Sequence, residues 1–225
     1  MQDKKKLLTS AIIKFLSGLI LMGAILFLPA GTINYPHAWV FMALLFVPML
    51  ILGIVLFVKS PELLSKRLKS KEKENAQVGV VIASAVMFLG SFILAGFDFR
   101  FGWSHIPVGG VMIAAILQFA AYVMYAEVMR ENAYLSRTVE IQENQKVVDT
   151  GLYGVVRHPM YTATVLLYLA MPIVLGSWAA FIVMLAYPVI IGFRIRNEEK
   201  VLEQGLEGYG EYKQRVKYRL IPYIW

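Results

Sequence analysis

The chain contains no cysteine and little charge. With no Cys among 225 residues, disulfides, thiolate metal sites and cysteine nucleophiles are excluded. Charged residues make up 16% and hydrophobic ones 58%, where a typical soluble domain has about 25% and about 45–50%. Both departures, with a mean hydropathy of +0.62, indicate a chain whose solvent is largely lipid. Rossmann-type dinucleotide binding is not indicated either, because no GxGxxG follows a strand. A histidine metal site is also missing. His37 and His105 fall in loops on one side of the predicted membrane and His158 on the other, and no HExxH pair occurs. No metal is expected.

What the chain does have is long apolar runs. Leu7–Ala30 is broken only by Lys14, which can snorkel. Ala38–Val58, Val78–Phe97 and Pro107–Ala126 carry no charge. At 1.5 Å per residue, about twenty residues span the roughly 30 Å of a bilayer core. The first run exceeds the 7–15 residues of a signal-peptide core and reads as an uncleaved span. Two shorter stretches, Tyr161–Leu175 and Trp178–Phe193, flank the turn signal Gly176-Ser177. They predict a tight helical hairpin, short for independent spans, that crosses a thinned bilayer or stops short of the far side.

The basic residues set the orientation. With a cytoplasmic N terminus, the external loops Gly31–His37 and Asp98–Ile106 contain Arg100 alone; the other 21 of 22 Lys and Arg lie on the cytoplasmic side. This is a positive-inside pattern. It accounts for the net charge of +7 through topology and attraction to anionic membrane lipids, and no nucleic-acid partner is expected. The loop Lys59–Gln77 reads as an interfacial amphipathic helix or a solvated loop, with no chemistry assigned.

The expected fold is all-α and polytopic, in two regions. A transmembrane bundle occupies 1–130, with four long helices near 7–30, 38–58, 78–97 and 107–129. A catalytic region occupies 131–225, with connector 131–158, short helical hairpin 159–193 and cytoplasmic tail 194–225. Both termini are expected in the cytoplasm, and connector and tail are expected to enclose the pocket.

Polar chemistry concentrates in that second region. Gly151 and Gly154 bracket Leu152 and Tyr153, allowing a tight bend or close approach to a ligand. Pro159 suits the first position of a helix. Arg157, His158 and the free N–H groups of that helix start form a natural anion-binding corner. A second cluster, Arg194, Arg196, Glu198 and Glu199, follows the hairpin. Arg194 with Glu198, and Arg196 with Glu199, share helix faces. A hairpin returns the chain to its starting level, so the two clusters can face each other. Tyr209, Tyr212 and Val216 recur at helical spacing and are expected to pack on the hairpin. The apolar end Leu220–Trp225 is expected to dock at the interface or to cover the pocket.

The run GLYGVVRHPMY, a hydrophobic hairpin, and RNEEKVLEQ followed by GYGEYKQRVKYRLIPYIW together resemble the isoprenylcysteine carboxyl methyltransferase family. That family is related to the membrane phospholipid N-methyltransferases. The resemblance covers roughly residues 132–225. It departs at Ala163, where the family often has Gly, and at Leu152, where Pro is common. It implies an S-adenosylmethionine-dependent methyltransferase acting on a lipophilic substrate that enters from the bilayer, with a carboxylate, and hence O-methylation, favoured. It further implies that His158 and Tyr161 contact the carboxylate end of the cofactor beside Arg157. Glu198 or Glu199 binds its ammonium, and Gly151 and Tyr153 line the connector side. Arg194 or Arg196 positions the acceptor. Two other readings stand beside it: an NADPH-dependent sterol- or steroid-type reductase, whose family has a similar Arg-His-Pro corner, and a transporter or scaffold without catalysis.

Overall fold

The computed structural model describes residues 2–68, 75–135 and 141–225. Every regular element among them is helical: α1 (Gln2–Ala30), α2 (Pro36–Lys59), α3 (Pro61–Leu68), α4 (Asn75–Phe101), α5 (Val108–Glu131), a 3-10 turn at Gly151–Gly154, α6 (Pro159–Val174), α7 (Trp178–Met184), α8 (Ala186–Gly205) and α9 (Tyr209–Arg215). The all-α, polytopic architecture expected from hydropathy is what the chain adopts. α1, α2, α4 and α5 are each long and apolar enough to cross a membrane.

The C-terminal hairpin departs from expectation in its second arm. That arm does not stop near Phe193. It continues as α7 and α8 to Gly205, and Trp178–Gly205 is a fifth segment with the length and apolarity of a span. Apolar patterning ends at Phe193, but the residues beyond it, rich in Arg, Glu, Lys, Leu and Gln, are good helix formers. The one interruption is Leu185, between α7 and α8. Pro188 explains it: without an N–H it cannot bond the carbonyl of Met184, four residues back.

The hairpin runs the full height of the bundle. Its turn lies at the end where α2 starts and α4 finishes. Gly176 has φ +80°, and a Cβ there would lie 3.3 Å from the His37 ring. Ser177 accepts from the backbone N–H of Ala180 at 3.0 Å, which caps α7. Its hydroxyl donates to the buried Asp98, which also accepts from the backbone and hydroxyl of Ser104, both at 2.7 Å. Tyr35 donates to the Leu175 carbonyl at 2.6 Å. α6 then descends along α5, its most extensive partner.

At the other end the Lys59–Gln77 stretch contains the helix α3, and residues 75–77 begin α4; residues 69–74 lie outside the described residues. Leu63 and Leu64 are buried with Leu56, Val128, Met129 and Met160. Lys14, the one charge within the first apolar run, donates to the carbonyl of Leu68 at the end of α3.

α1 exposes Ile13, Ile20 and Leu28 and holds to the bundle through α4. The closest approach is at Gly96, where a Cβ would meet the Leu26 carbonyl at 2.7 Å and the Pro29 Cβ at 2.9 Å. Small residues permit such backbone proximity between membrane helices. Gly96→Val is therefore expected to force α1 and α4 apart at a cost of about 1–3 kcal/mol. The readout is a lowered thermal-unfolding midpoint in detergent, against no comparable change for Gly90→Val, where a Cβ meets nothing within 4 Å.

Candidate functional site

The site is built where the start of α6 meets α8 and the tail. Pro159 opens α6, and His158 precedes it with non-helical angles, as the restriction ahead of proline requires. The extended backbone at this corner pairs with the tail. Arg157 N–H donates to the Tyr218 carbonyl and His158 N–H to the Arg219 carbonyl, both at 2.9 Å. Thr162 adds a hydroxyl bond to the Leu220 carbonyl at 2.8 Å.

Glu199 ties this together. Its carboxylate accepts from Arg157 Nε at 2.7 Å and Arg219 Nε at 2.8 Å, and lies 3.3 Å from His158 Nε2. The side chains of Glu199 and Arg157 are each 3% exposed. Arg157 Nη1 donates to the Val216 and Lys217 carbonyls at 2.7 and 2.8 Å. The corner read from sequence as an anion site thus directs its Arg157 and His158 N–H groups, and three guanidinium bonds, to the protein itself.

Glu198 turns the other way, toward a cavity. It accepts from the Tyr161 hydroxyl at 2.5 Å, and that hydroxyl in turn accepts from Arg194 Nε at 2.8 Å. His158 Nδ1 lies 3.9 Å from its other oxygen. The cavity has a volume of about 470 Å³, in the range of small-molecule and cofactor sites. Arg157, His158, Tyr161, Arg194 and Glu198 line it, whereas Glu199 and Arg196 do not. Arg196 is exposed, two residues, or about 200° around a helix, from Arg194.

The connector supplies Tyr153. Its hydroxyl accepts from Asn132 Nδ2 at 2.9 Å, and its carbonyl accepts from the Tyr212 hydroxyl at 2.8 Å. Burial pushes the Tyr153 phenol up to about 12, so it stays neutral in the physiological range. Gly151 does not line the cavity; at φ +55° it makes the turn that carries Tyr153 inward, and a Cβ there would meet the Glu131 carboxyl carbon at 3.2 Å. Tyr209, Tyr212 and Val216 pack with Leu202 of α8 and with Ile141 and Val147 of the connector, so they hold the extended second arm of the hairpin and the connector together. The Leu220–Trp225 end likewise does not cover the cavity. It folds back, with the Trp225 N–H on the Ile221 carbonyl and the Arg219 guanidinium over the Trp225 ring.

The cavity has two characters. Around Tyr153, His158 and Glu198 it is polar and walled by connector residues 145–148 with Leu202, Leu206 and Tyr209. Toward the bundle it is bounded by Val80, Val81, Ala85 and Phe88 of α4, with Tyr168, Tyr187 and Ile191. Val81 is 45% exposed, so this side of the cavity borders the outer surface of α4. Sequence reasoning missed Arg67, Tyr125, Asn132, Tyr187 and Tyr209 in the wall. An Arg on an interfacial amphipathic helix was the one signal available for Arg67.

The residues suit an amino-acid-bearing, adenosyl-type ligand. Glu198 is an acid facing the space, and apolar side chains and phenols surround it. Tyr209 OH is buried and has no hydrogen-bond partner among the described residues. Burial first, then the charges of Glu199 and Glu198, hold that phenol well above its usual range. The phenol therefore stays neutral, buried behind the cavity wall that Tyr209 helps to form.

The two acids separate by experiment. Glu199→Gln leaves the buried Arg157 against a neutral amide, a loss of the order of 3–5 kcal/mol for a broken buried pair. It is expected to lower the unfolding midpoint sharply, whereas Glu198→Gln leaves it nearly unchanged. Equal midpoints for the two variants would contradict this division of roles.

Residues 106–209, a little under half of the chain, match the phospholipid methyltransferase family. A stretch of 91 residues is 29% identical to the Delta(14)-sterol reductase of Mus musculus, covering 39% of this chain and 22% of that protein. The chain thus spans about a fifth of the length of that curated relative. The matched family segment runs from the start of α5 through α6, α7 and α8 to Tyr209, taking in the corner, both acids and the connector. The match to a phospholipid methyltransferase model agrees with the motif resemblance, in a chain with five helices long and apolar enough to cross a membrane.

Proposed function

We propose that the protein is an integral membrane S-adenosylmethionine-dependent methyltransferase acting on a lipophilic acceptor. The observation that carries this is the cavity's double character. Glu198, His158 and Tyr153 line it at one place, and the apolar side chains of α4, Val80, Val81, Ala85 and Phe88, line it at another. When bound, the cofactor supplies an electrophilic methyl group on a sulfonium. Glu198 would hold its ammonium, since Glu199 is already occupied by Arg157, His158 and Arg219. His158 and Tyr161 flank the same end, and Tyr153 with Tyr209 borders the connector side. The basic-residue distribution argues for both termini and the connector on the cytoplasmic side. The cofactor then arrives from the cytoplasm and the acceptor from the bilayer.

What the residues contribute is alignment. Methyl transfer is an in-line displacement, and orienting two reactants can contribute about 7–11 kcal/mol of barrier reduction. A carboxylate acceptor, methylated at oxygen, is favoured. It is already a nucleophile, and Arg194 in the wall can orient it. An amine would need a base first, whereas Glu198 is bonded to Tyr161 and His158 faces Glu199. Arg196, exposed outside the cavity, is not given a role with the acceptor.

The similarity to a sterol reductase supports one other reading, an NADPH-dependent reductase. It has less support from the site, because an acid facing the cavity favours an ammonium and opposes a phosphate. Calorimetric titration with S-adenosylhomocysteine and with NADPH separates the two. The expected result is binding of the first alone, weakened at least tenfold in Glu198→Gln. NADPH binding alone would establish the reductase reading instead.

A further inference from the structure

Three helices line the cavity over a common height. The Tyr161 hydroxyl accepts from Arg194 at 2.8 Å, which fixes one level on α6 and α8. Followed from there into the bundle, the lining residues end at Tyr168 on α6 and at Tyr187 on α8, and on α4 they end at Phe88. Tyr168 lies seven positions after Tyr161, Tyr187 seven before Arg194 and Phe88 seven after Val81, about 10 Å of helix in each case.

The three residues at which the lining ends touch one another. Ring centroids are 4.7 Å apart for Phe88 and Tyr168, 4.7 Å for Tyr168 and Tyr187, and 5.8 Å for Phe88 and Tyr187. The first two pairs meet edge to face, at 78° and 85°, an arrangement that ring quadrupoles favour. Core side chains lie directly behind. Phe88 stacks on Phe92, and Phe92 packs on Phe41. The Ser91 hydroxyl donates to the Ala180 carbonyl at 3.0 Å and ties α4 to α7 just past the rings.

Between the two levels the lining is Ser84 and Ala85 from α4, Thr164 from α6 and Ile191 from α8. Thr164 is occupied: its hydroxyl accepts from the Tyr187 hydroxyl at 3.0 Å and donates to the Tyr161 carbonyl at 3.1 Å. No charged side chain lines this arm among the described residues. It is a short apolar recess below the polar residues, ended by packed rings.

We propose that this recess takes the apolar part of the methyl acceptor, and that the Phe88–Tyr168–Tyr187 cluster is its floor and sets a ceiling on chain length. The acceptor is then a single-chain amphiphile of medium length, with its reacting group at the level of Tyr161 and Arg194. This deepens the methyltransferase reading and rests on it. An extended octyl chain matches the depth of the recess, whereas a hexadecyl chain must displace a ring from a close-packed interior.

The test is photolabelling of the protein in phosphatidylcholine nanodiscs with octanoate carrying a terminal diazirine. Labelled residues are mapped by mass spectrometry. Unlabelled hexanoate, octanoate, dodecanoate and hexadecanoate compete, each corrected for its partition into the discs. Wild type is expected to be labelled at Phe88, Tyr168 or Tyr187, with octanoate competing at least tenfold better than hexadecanoate. Phe88→Ala deepens the recess and should improve dodecanoate relative to octanoate at least fivefold; the milder Phe88→Leu should shift it in the same direction. If neither variant folds, the wild-type labelling and chain-length profile decide alone. The proposal is overturned by absence of competable label at the three rings, by competition that keeps rising to hexadecanoate, or by an unchanged profile in folded Phe88→Ala. Label at the rings in a protein that binds no S-adenosylhomocysteine would keep the recess and sink the methyltransferase reading; S-adenosylhomocysteine binding without that label would do the reverse.

Discussion

A single buried carboxylate organises the end of this protein where α6 begins. Glu199 reaches from α8 to Arg157 and His158 ahead of α6 and to Arg219 in the tail. Removing these charges from water costs several kcal/mol per ion and is offset only when the geometry is good and the remaining hydrogen bonds are satisfied. Here they are: Arg157 completes its bonding on the Val216 and Lys217 carbonyls, and the corner backbone pairs with residues 218 and 219. Because the knot joins three chain segments, it sets the phase of α8 against α6. That phase leaves Glu198, one residue earlier and about 100° around the helix, facing the cavity.

The cavity is consequently shared between two environments. The helices α4, α5, α6 and α8 form one wall, and the connector with α9 forms the other. Each half is stabilised in its own way. The bundle packs small against large, as at Gly96, and holds its far end with the Asp98–Ser104–Ser177 cluster. The second wall depends on phenols, with Tyr212 on the Tyr153 carbonyl and Tyr153 on Asn132.

Much of this was legible in the sequence. Uncharged runs of twenty residues have few other folded outcomes, and Pro159 and Gly176-Ser177 marked the hairpin's start and turn. The meeting of Arg157 and His158 with the acid pair, some forty residues later, followed from hairpin geometry. The division between Glu198 and Glu199 did not, because it depends on how α8 is rotated against a neighbour. Arg157 read as an anion binder because sequence cannot show that tail carbonyls occupy its guanidinium. The second arm's length was hidden by a helix continuing past its apolar stretch. Arg67 was hidden by a loop whose mixed charges look like any solvated surface. Arg194 and Arg196 read alike until the helix placed them on opposite sides.

Glu198 in the cavity wall and the apolar α4 residues that line the same cavity support the proposed methyl transfer to a bilayer amphiphile. That reaction can be observed without knowing the acceptor in advance. The purified protein is incubated with S-adenosylmethionine carrying a labelled methyl group and a total lipid extract of the expressing cells. Label recovered in the organic phase, and lost with Glu198→Gln, is the predicted result. Label that never leaves the aqueous phase, while NADPH is consumed by the same extract, would contradict it.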